Sequence, residues 1–321
     1  MKKLFATIIL SSLTLGAFAL PNLLNKEQYG ADAIDNLDFE LSSEDLIVKE
    51  TYDTSSIDVE IYCNYKKYAP EVSVSGSTLY IESTKNGISF FPHPTGYSCT
   101  VIVYVPQKKD FDEISIKSTS GDVRIERPLS AESLIKLSMT SGNITSEKGL
   151  FSDEVVVHGT SGDITLYNVD ADDFKASTSS GEIQVTKFTG GTGILHSTSG
   201  KIRADNFASE YAEFKCTSGD ITVMKLDCDY FDAQSTSGNV ILELKNAPAA
   251  SSSVECTSGE IEVYLPMRAK FTVDVSSNSG TFRDKFNNNR MSPRGNYSMN
   301  YNGGGSTIRL RTTSGDISLD Y

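Results

Sequence analysis

The sequence has no tryptophan and three histidines, and its bases are outnumbered by its acids. Each shortage excludes something. Without Trp there is no broad ring on which a sugar could stack. Three His leave little material for imidazole catalysis or a His-rich metal cage. With 29 Lys plus Arg against 42 Asp plus Glu, a formal net charge of −13, the chain lacks the basic footprint that nucleic acid or an anionic membrane surface requires. Beyond the first 19 residues there is no long apolar run, so no later segment is suited to crossing a bilayer. Five cysteines in 321 residues are too sparse for a disulfide-built scaffold, and the odd number leaves at least one unpaired within the chain. What remains is ordinary: 38% hydrophobic and 22% charged residues, the balance of a folded chain long enough for one or two domains.

Residues 1–19 read as a signal peptide. Lys2 and Lys3 form a charged start, Leu4 to Gly16 an apolar stretch too short to anchor in a bilayer, and Ala17-Phe18-Ala19 a small-residue cleavage site. Its removal takes Lys plus Arg from 29 to 27 against 42 acids, a mature charge of −15. The expected location is the periplasm, the cell surface or the exterior, with no transmembrane anchor.

From residue 114 onward one phrase recurs: a Thr-Ser-Gly-Asp-Ile-like corner with glycine at 121, 142, 162, 181, 200, 219, 238, 259, 280 and 315. Successive gaps are 21, 20, 19, 19, 19, 19, 21, 21 and 35 residues, and a period near 20 is the mark of a solenoid. Seven and five residues before the glycines stand apolar pairs such as Ile114 and Ile116, Val155 and Val157, Val273 and Val275. Two and four residues after them stand others, such as Ile164 and Leu166 or Ile221 and Val223. Alternation of this kind marks strands with one buried face. The inward positions are odd before the glycine and even after it, so the glycine is a corner where the pleat changes phase, with φ expected to be positive. The pattern predicts an all-β chain: a right-handed parallel β-helix of about 20 residues per coil, preceded by an irregular β cap. The expected divisions are 1–19 signal peptide, 20–110 N-terminal cap or first irregular coils, and 111–321 repeats with a polar insertion at 283–305.

Candidate chemistry is thin. The residue after each glycine (Asp122, Asn143, Asp163, Glu182, Lys201, Asp220, Asn239, Glu260, Thr281, Asp316) forms a polar column that Asn and Lys interrupt, which argues against a Ca²⁺ ladder. Thr119, Thr140, Thr160, Thr198, Thr217, Thr236 and Thr257, two before their glycines, are expected to brace the turn through hydroxyl-to-backbone bonds. Tyr211 and Tyr230 hold one position in adjacent coils and are expected to stack. Cys216 and Cys256 share an inward position two coils apart, too far to bond, and Cys63 and Cys99, both in strand-like stretches of the N-terminal region, are the better pair. No catalytic residue, metal site or cofactor motif stands out. The insertion 283–305 departs from the period and reverses the local charge. Arg283, Lys285, Phe286, Arg290, Arg294, Tyr297 and Tyr301 are its candidate interaction residues, and its excision is expected to leave the rod folded.

The run Val105-Pro106, Phe111 and Ile114-Ser-Ile-Lys-Ser-Thr-Ser-Gly-Asp-Val, followed by further Ser-Gly-Asp-Ile corners, resembles the bacterial putative-adhesin domain over roughly residues 35–321. The resemblance implies a secreted parallel β-helix and no agreed catalytic residues. The functional expectation is a non-catalytic solenoid acting as an adhesin or cell-envelope interaction protein on a protein or glycan ligand. The alternatives are a scaffold that self-associates through its coil ends and a carbohydrate-active enzyme.

Overall fold

The computed structural model describes residues 21–84, 95–292 and 295–321; the segment read as a signal peptide and Arg294 lie outside them. Among the described residues the chain is all-β, with 29 strands in one hydrogen-bonded system, two short 3-10 turns and no α-helix. In the middle of the rod each strand pairs in parallel with its counterpart one repeat on. Ile164 lies beside Ile183, Ile183 beside Ile202, and Ile202 beside Ile221 on one side of the coil. On the other side Phe174 lies beside Gly193, Gly193 beside Ala212, and Ala212 beside Phe231.

The alternation foreseen from the sequence places the core. Phe174, Phe188, Phe207, Phe214 and Phe231 are fully buried, and from Phe174 to Phe214 their rings touch in turn with centroids 4.7–5.1 Å apart. Room for them comes from the small residues in register: a methyl group at Gly193 would lie 2.4 Å from the Phe207 ring and 2.7 Å from that of Phe188. Small residues in one row make room for the large rings of another, as close packing demands.

The corner is the tightest part of the structure. Nine of the ten repeat glycines have φ between +112° and +154°, Gly121 being the exception. Each stands against the carbonyl of the corner in the neighbouring coil. A Cβ on Gly200 would lie 1.9 Å from the carbonyl oxygen of Gly181, and one on Gly219 2.0 Å from that of Gly200. The backbone ladder runs through this corner unbroken, with Gly200 N–H donating to Ser218 O at 3.1 Å and Ile202 N–H to Asp220 O at 3.0 Å. The polar column after the glycines has a backbone role. Asp122 Oδ1 accepts from Asn143 N–H at 2.8 Å, Asn143 Oδ1 from Asp163 N–H at 2.9 Å, and Asp163 Oδ1 from Glu182 N–H at 2.8 Å. Asp and Asn serve equally as acceptors here, which is why they interchange along the column.

Both ends depart from sequential stacking. The parallel stack extends N-terminally of residue 111, because Asn36–Leu41 and Asp45–Thr51 form a coil beside Phe111–Ser118 and Val123–Ile125. Its corner is Ser43-Glu44-Asp45, with Glu44 in the glycine position and Asp45 Oδ1 accepting from Asp122 N–H at 2.9 Å. The stretch Thr78–Glu82 and Cys99–Pro106 lies on the outer side of that first coil. At the other end Thr307–Ser314 sits between Ser252–Ser258 and Phe271–Ser279, so the last repeat is inserted inside the one before it. The outer edges are then closed by antiparallel strands: Ser56–Cys63 and Glu71–Ser75 at the start, Asn289–Met291 and Tyr297–Tyr301 at the end. Such antiparallel covers block the edge-to-edge growth that open parallel edges invite.

The corner yields a direct expectation. Gly200→Ala places a methyl group against a backbone oxygen that cannot swing aside, in a region of φ that alanine resists. The predicted loss is about 3 kcal/mol or more, measured as a lower denaturant midpoint, whereas Asp220→Ala, which removes one acceptor, is expected to cost about 1 kcal/mol.

Candidate functional site

The insertion 283–305 is not a free loop. Arg283 is paired with Asp316 at 2.6 Å and Lys285 with Asp320. Phe286 packs edge-on against Phe271, Tyr301 and Tyr321. Tyr301 is buried, stacked on Phe271 with centroids 4.6 Å apart, and its hydroxyl donates to buried Asp284 at 2.9 Å. Burial and the Asp284 carboxylate hold the Tyr301 hydroxyl above its ordinary range. These residues cover the end of the rod, which argues against the expectation that residues 285–303 can be replaced by a linker without harm. Arg290 and Tyr297 are exposed; Arg294 lies outside the described residues.

A long concave surface lies on the repeats. It is a groove of about 760 Å³ running along the rod axis. One wall is the rank four before the glycines, in spatial order His158, Ser177, His196, Lys215, Gln234, Glu255, Arg311 and Ser276. Eight coils at ~4.8 Å give a length of roughly 34 Å. The other wall is the exposed column Ser179, Thr198, Thr217, Thr236, Thr257, Thr313 and Asn278. The floor is the rank three before the glycines: Thr178, Ser197, Cys216, Ser235, Cys256 and Thr312.

That floor explains why the hydroxyls of the Thr column are available. The brace expected of the column comes from the residue beside it. Cys216 Sγ donates to Gly200 O at 3.1 Å, Ser235 Oγ to Gly219 O at 3.2 Å and Cys256 Sγ to Gly238 O at 3.2 Å. The sequence hid this because position three before the glycine mixes Ser, Cys, Thr, Met and Gly, while the uniform Thr column drew attention. At its far end the groove meets the insertion: Ser276 and Arg311 also line a pocket of about 130 Å³ closed by Asn296 and Tyr297.

Beside the groove lies a hydrogen-bonded cluster. His196 Nε2 is 2.5 Å from Glu213 Oε1, Lys215 Nζ is 2.9 Å from the same oxygen, and Tyr211 hydroxyl donates to Glu213 Oε2 at 2.8 Å. Tyr211 stacks on Tyr230 as expected, with centroids 4.7 Å apart. Burial pushes the Glu213 carboxyl up, but the hydrogen bonds from Lys215, Tyr211 and His196 outweigh it and hold the group at about 2. A carboxylate this acidic, with both oxygens occupied, serves as an anchor for its neighbours and not as a proton donor at neutral pH. Among the described residues no group of three or more His, Cys, Asp or Glu is placed to hold a metal ion, and no helix is long and apolar enough to cross a membrane.

The model of the Toastrack DUF4097 family matches residues 34–172 and again 148–320, together nearly the whole chain. The chain belongs to this family. The two matches of the Toastrack model overlap within the repeats, as expected of a periodic chain whose coils are interchangeable. Among curated proteins nothing matches this Toastrack chain. Solved structures similar to it include a putative adhesin from Parabacteroides distasonis, 12% identical, covering 94% of this chain and 98% of that one with a TM-score of 0.48. A putative lipid binding protein from the same organism is 15% identical, with 92% and 96% covered and a TM-score of 0.43. A putative adhesin from Bacteroides fragilis is 13% identical, with 94% and 97% covered and a TM-score of 0.37.

Glu213 gives a pH prediction. Its folded value lies below the 4.5 of a free glutamate, so its contribution to stability is present above about 4.5 and lost as the pH falls toward 2. Glu213→Gln is expected to lower stability by about 1 kcal/mol at pH 7, since its partners are partly exposed, and the difference from wild type should shrink between pH 4.5 and 2.5 in urea titrations.

Proposed function

We propose that this chain is an exported, non-catalytic solenoid with an adhesin-like role, and that the groove is its binding face for an extended, hydroxyl-rich polymer such as a polysaccharide. The winding is right-handed, as parallel crossovers are, with about 20 residues per coil; the one-repeat registers support this reading. The observation that carries the function is the unbroken groove. Twelve of its 21 lining residues are Ser or Thr, and its Thr column is left free of internal hydrogen bonding by the bracing floor. A hydroxyl-lined channel about 34 Å long matches a chain that offers a hydroxyl at every unit, and its polar lining does not suit an acyl chain. Along the wall Lys215 is paired with Glu213 and Arg311 with Glu255, so its charges are balanced, which favours a neutral polymer. Tyr297 of the insertion supplies one exposed ring at the groove end. A self-assembling scaffold is less well supported, because antiparallel strands cover both outer edges.

Binding to a polysaccharide array and to whole bacterial and host cells tests the reading. Thr217→Trp and Thr236→Trp fill the middle of the groove from exposed positions, so they are expected to weaken attachment more than tenfold with melting unchanged. Arg290→Ala combined with Tyr297→Ala is expected to weaken it only modestly. Full attachment by the Trp variants together with loss in the Arg290/Tyr297 variant would transfer the function to the insertion.

A further inference from the structure

Cys63 ends the strand Ser56–Cys63, and Cys99 begins the strand Cys99–Pro106. The two strands run antiparallel, and the two cysteines are direct cross-strand partners. The next pair outward is hydrogen-bonded, Asn64 N–H donating to Ser98 O at 3.2 Å. Cys63 and Cys99 therefore occupy a non-hydrogen-bonded position, where Cα atoms approach to about 4.5 Å and side chains come closest. That separation falls inside the window of about 4.4–6.8 Å that a disulfide needs. Both residues are buried, at 4% and 3% exposure.

None of the other cysteines has such a partner. Cys216 and Cys256 both lie beside Ser235, one on each side, so two coil steps of ~4.8 Å separate them, beyond the reach of the bond. Cys228 lies beside Ser209. The placement of the matched pair also has a mechanical sense. Cys99–Pro106 pairs with the first coil on one edge and with Ser56–Cys63 on the other, and the N-terminal strand Leu23–Gly30 hangs from the far edge of Ser56–Cys63. A bond at this point ties the antiparallel cap to the rod and closes residues 64–98 into a loop.

We propose that Cys63 and Cys99 form an intrachain disulfide that staples the N-terminal cap to the solenoid, while Cys216, Cys228 and Cys256 remain thiols. The oxidant is a disulfide compound of the oxidised-glutathione class. One cysteine thiolate attacks the donor S–S bond and releases one donor thiol. The second cysteine then attacks the resulting mixed disulfide and releases the other. The pair loses two protons and two electrons, and the donor disulfide is reduced to two thiols. Burial and the neighbouring Cys63 hold the Cys99 thiol well above its ordinary range. Exchange in the folded chain is accordingly slow, and the bond is set while the chain folds.

The test is to refold the full chain in a mixture of oxidised and reduced glutathione, alkylate it under denaturing conditions and map the products by mass. The expected result is alkylation at Cys216, Cys228 and Cys256 and one linked peptide pair, Cys63 with Cys99, lighter by two hydrogens. The oxidised form is expected to melt roughly 5–10 °C above the reduced form, and Cys63→Ala with Cys99→Ala to melt alike in both conditions. Alkylation at all five cysteines, or any link through Cys216, Cys228 or Cys256, overturns the proposal without reference to how the variants fold. A linked pair with no gain in melting temperature overturns the stapling role.

Discussion

The close approach of one coil's glycine to the carbonyl of the next is the constraint on which the structure depends. At Gly162, Gly181, Gly200 and Gly219 any Cβ would lie within about 2.1 Å of a neighbouring carbonyl oxygen, so each corner admits only hydrogen at that point. The corner thereby fixes the axial register of successive coils, and a one-residue slip, which would turn every inward side chain outward, is blocked sterically as well as by the core. The flanking residues complete the joint. Cys216, Ser235 and Cys256, three before their glycines, tie to the preceding coil, and Asp or Asn after the glycine accepts the next amide. Backbone amides on both sides of the corner thus find acceptors in an adjacent coil.

The functional surface follows from the same joint. Because the residue three before the glycine turns inward to brace the corner, its neighbours on both sides turn outward and leave a channel between them. Register repeats that channel coil after coil, and the result is a straight polar groove with Ser or Thr along most of one wall and a varied composition on the other. The variable wall, from His158 to Arg311, is where ligand preference can be tuned without disturbing the fold.

Much of this was legible in the sequence, and the exceptions have physical reasons. The Ser-Gly-Asp period and the phase change across it placed the inward rows from Ile114 to Leu310, because burial at 4.8 Å spacing demands that pattern. Irregular first coils were expected within 20–110, but the corner of the first was not placed because Glu44 stands where glycine was sought; only Ser43 and Asp45 kept its signature. The inserted position of the last repeat was hidden because a 35-residue gap is compatible with stacking at the end or one place inside it. The insertion's aromatics looked available because sequence spacing does not show that Phe286 and Tyr301 fold back on Phe271. The groove was overlooked because its hydroxyls were assigned to turn bracing that the adjacent rank performs.

Hydrogen–deuterium exchange of the native chain tests the register-fixing corner most directly, at the end where sequence order and spatial order diverge. Thr307–Ser314 is bonded on both sides, and Gly315 N–H donates to Ser279 O at 3.0 Å. Its amides are therefore expected to exchange as slowly as those of Ser252–Ser258 in the body of the rod. Exchange of 307–320 at the rate of a frayed terminus, with 271–279 protected in its place, would show that the repeats stack in simple chain order and would contradict the account.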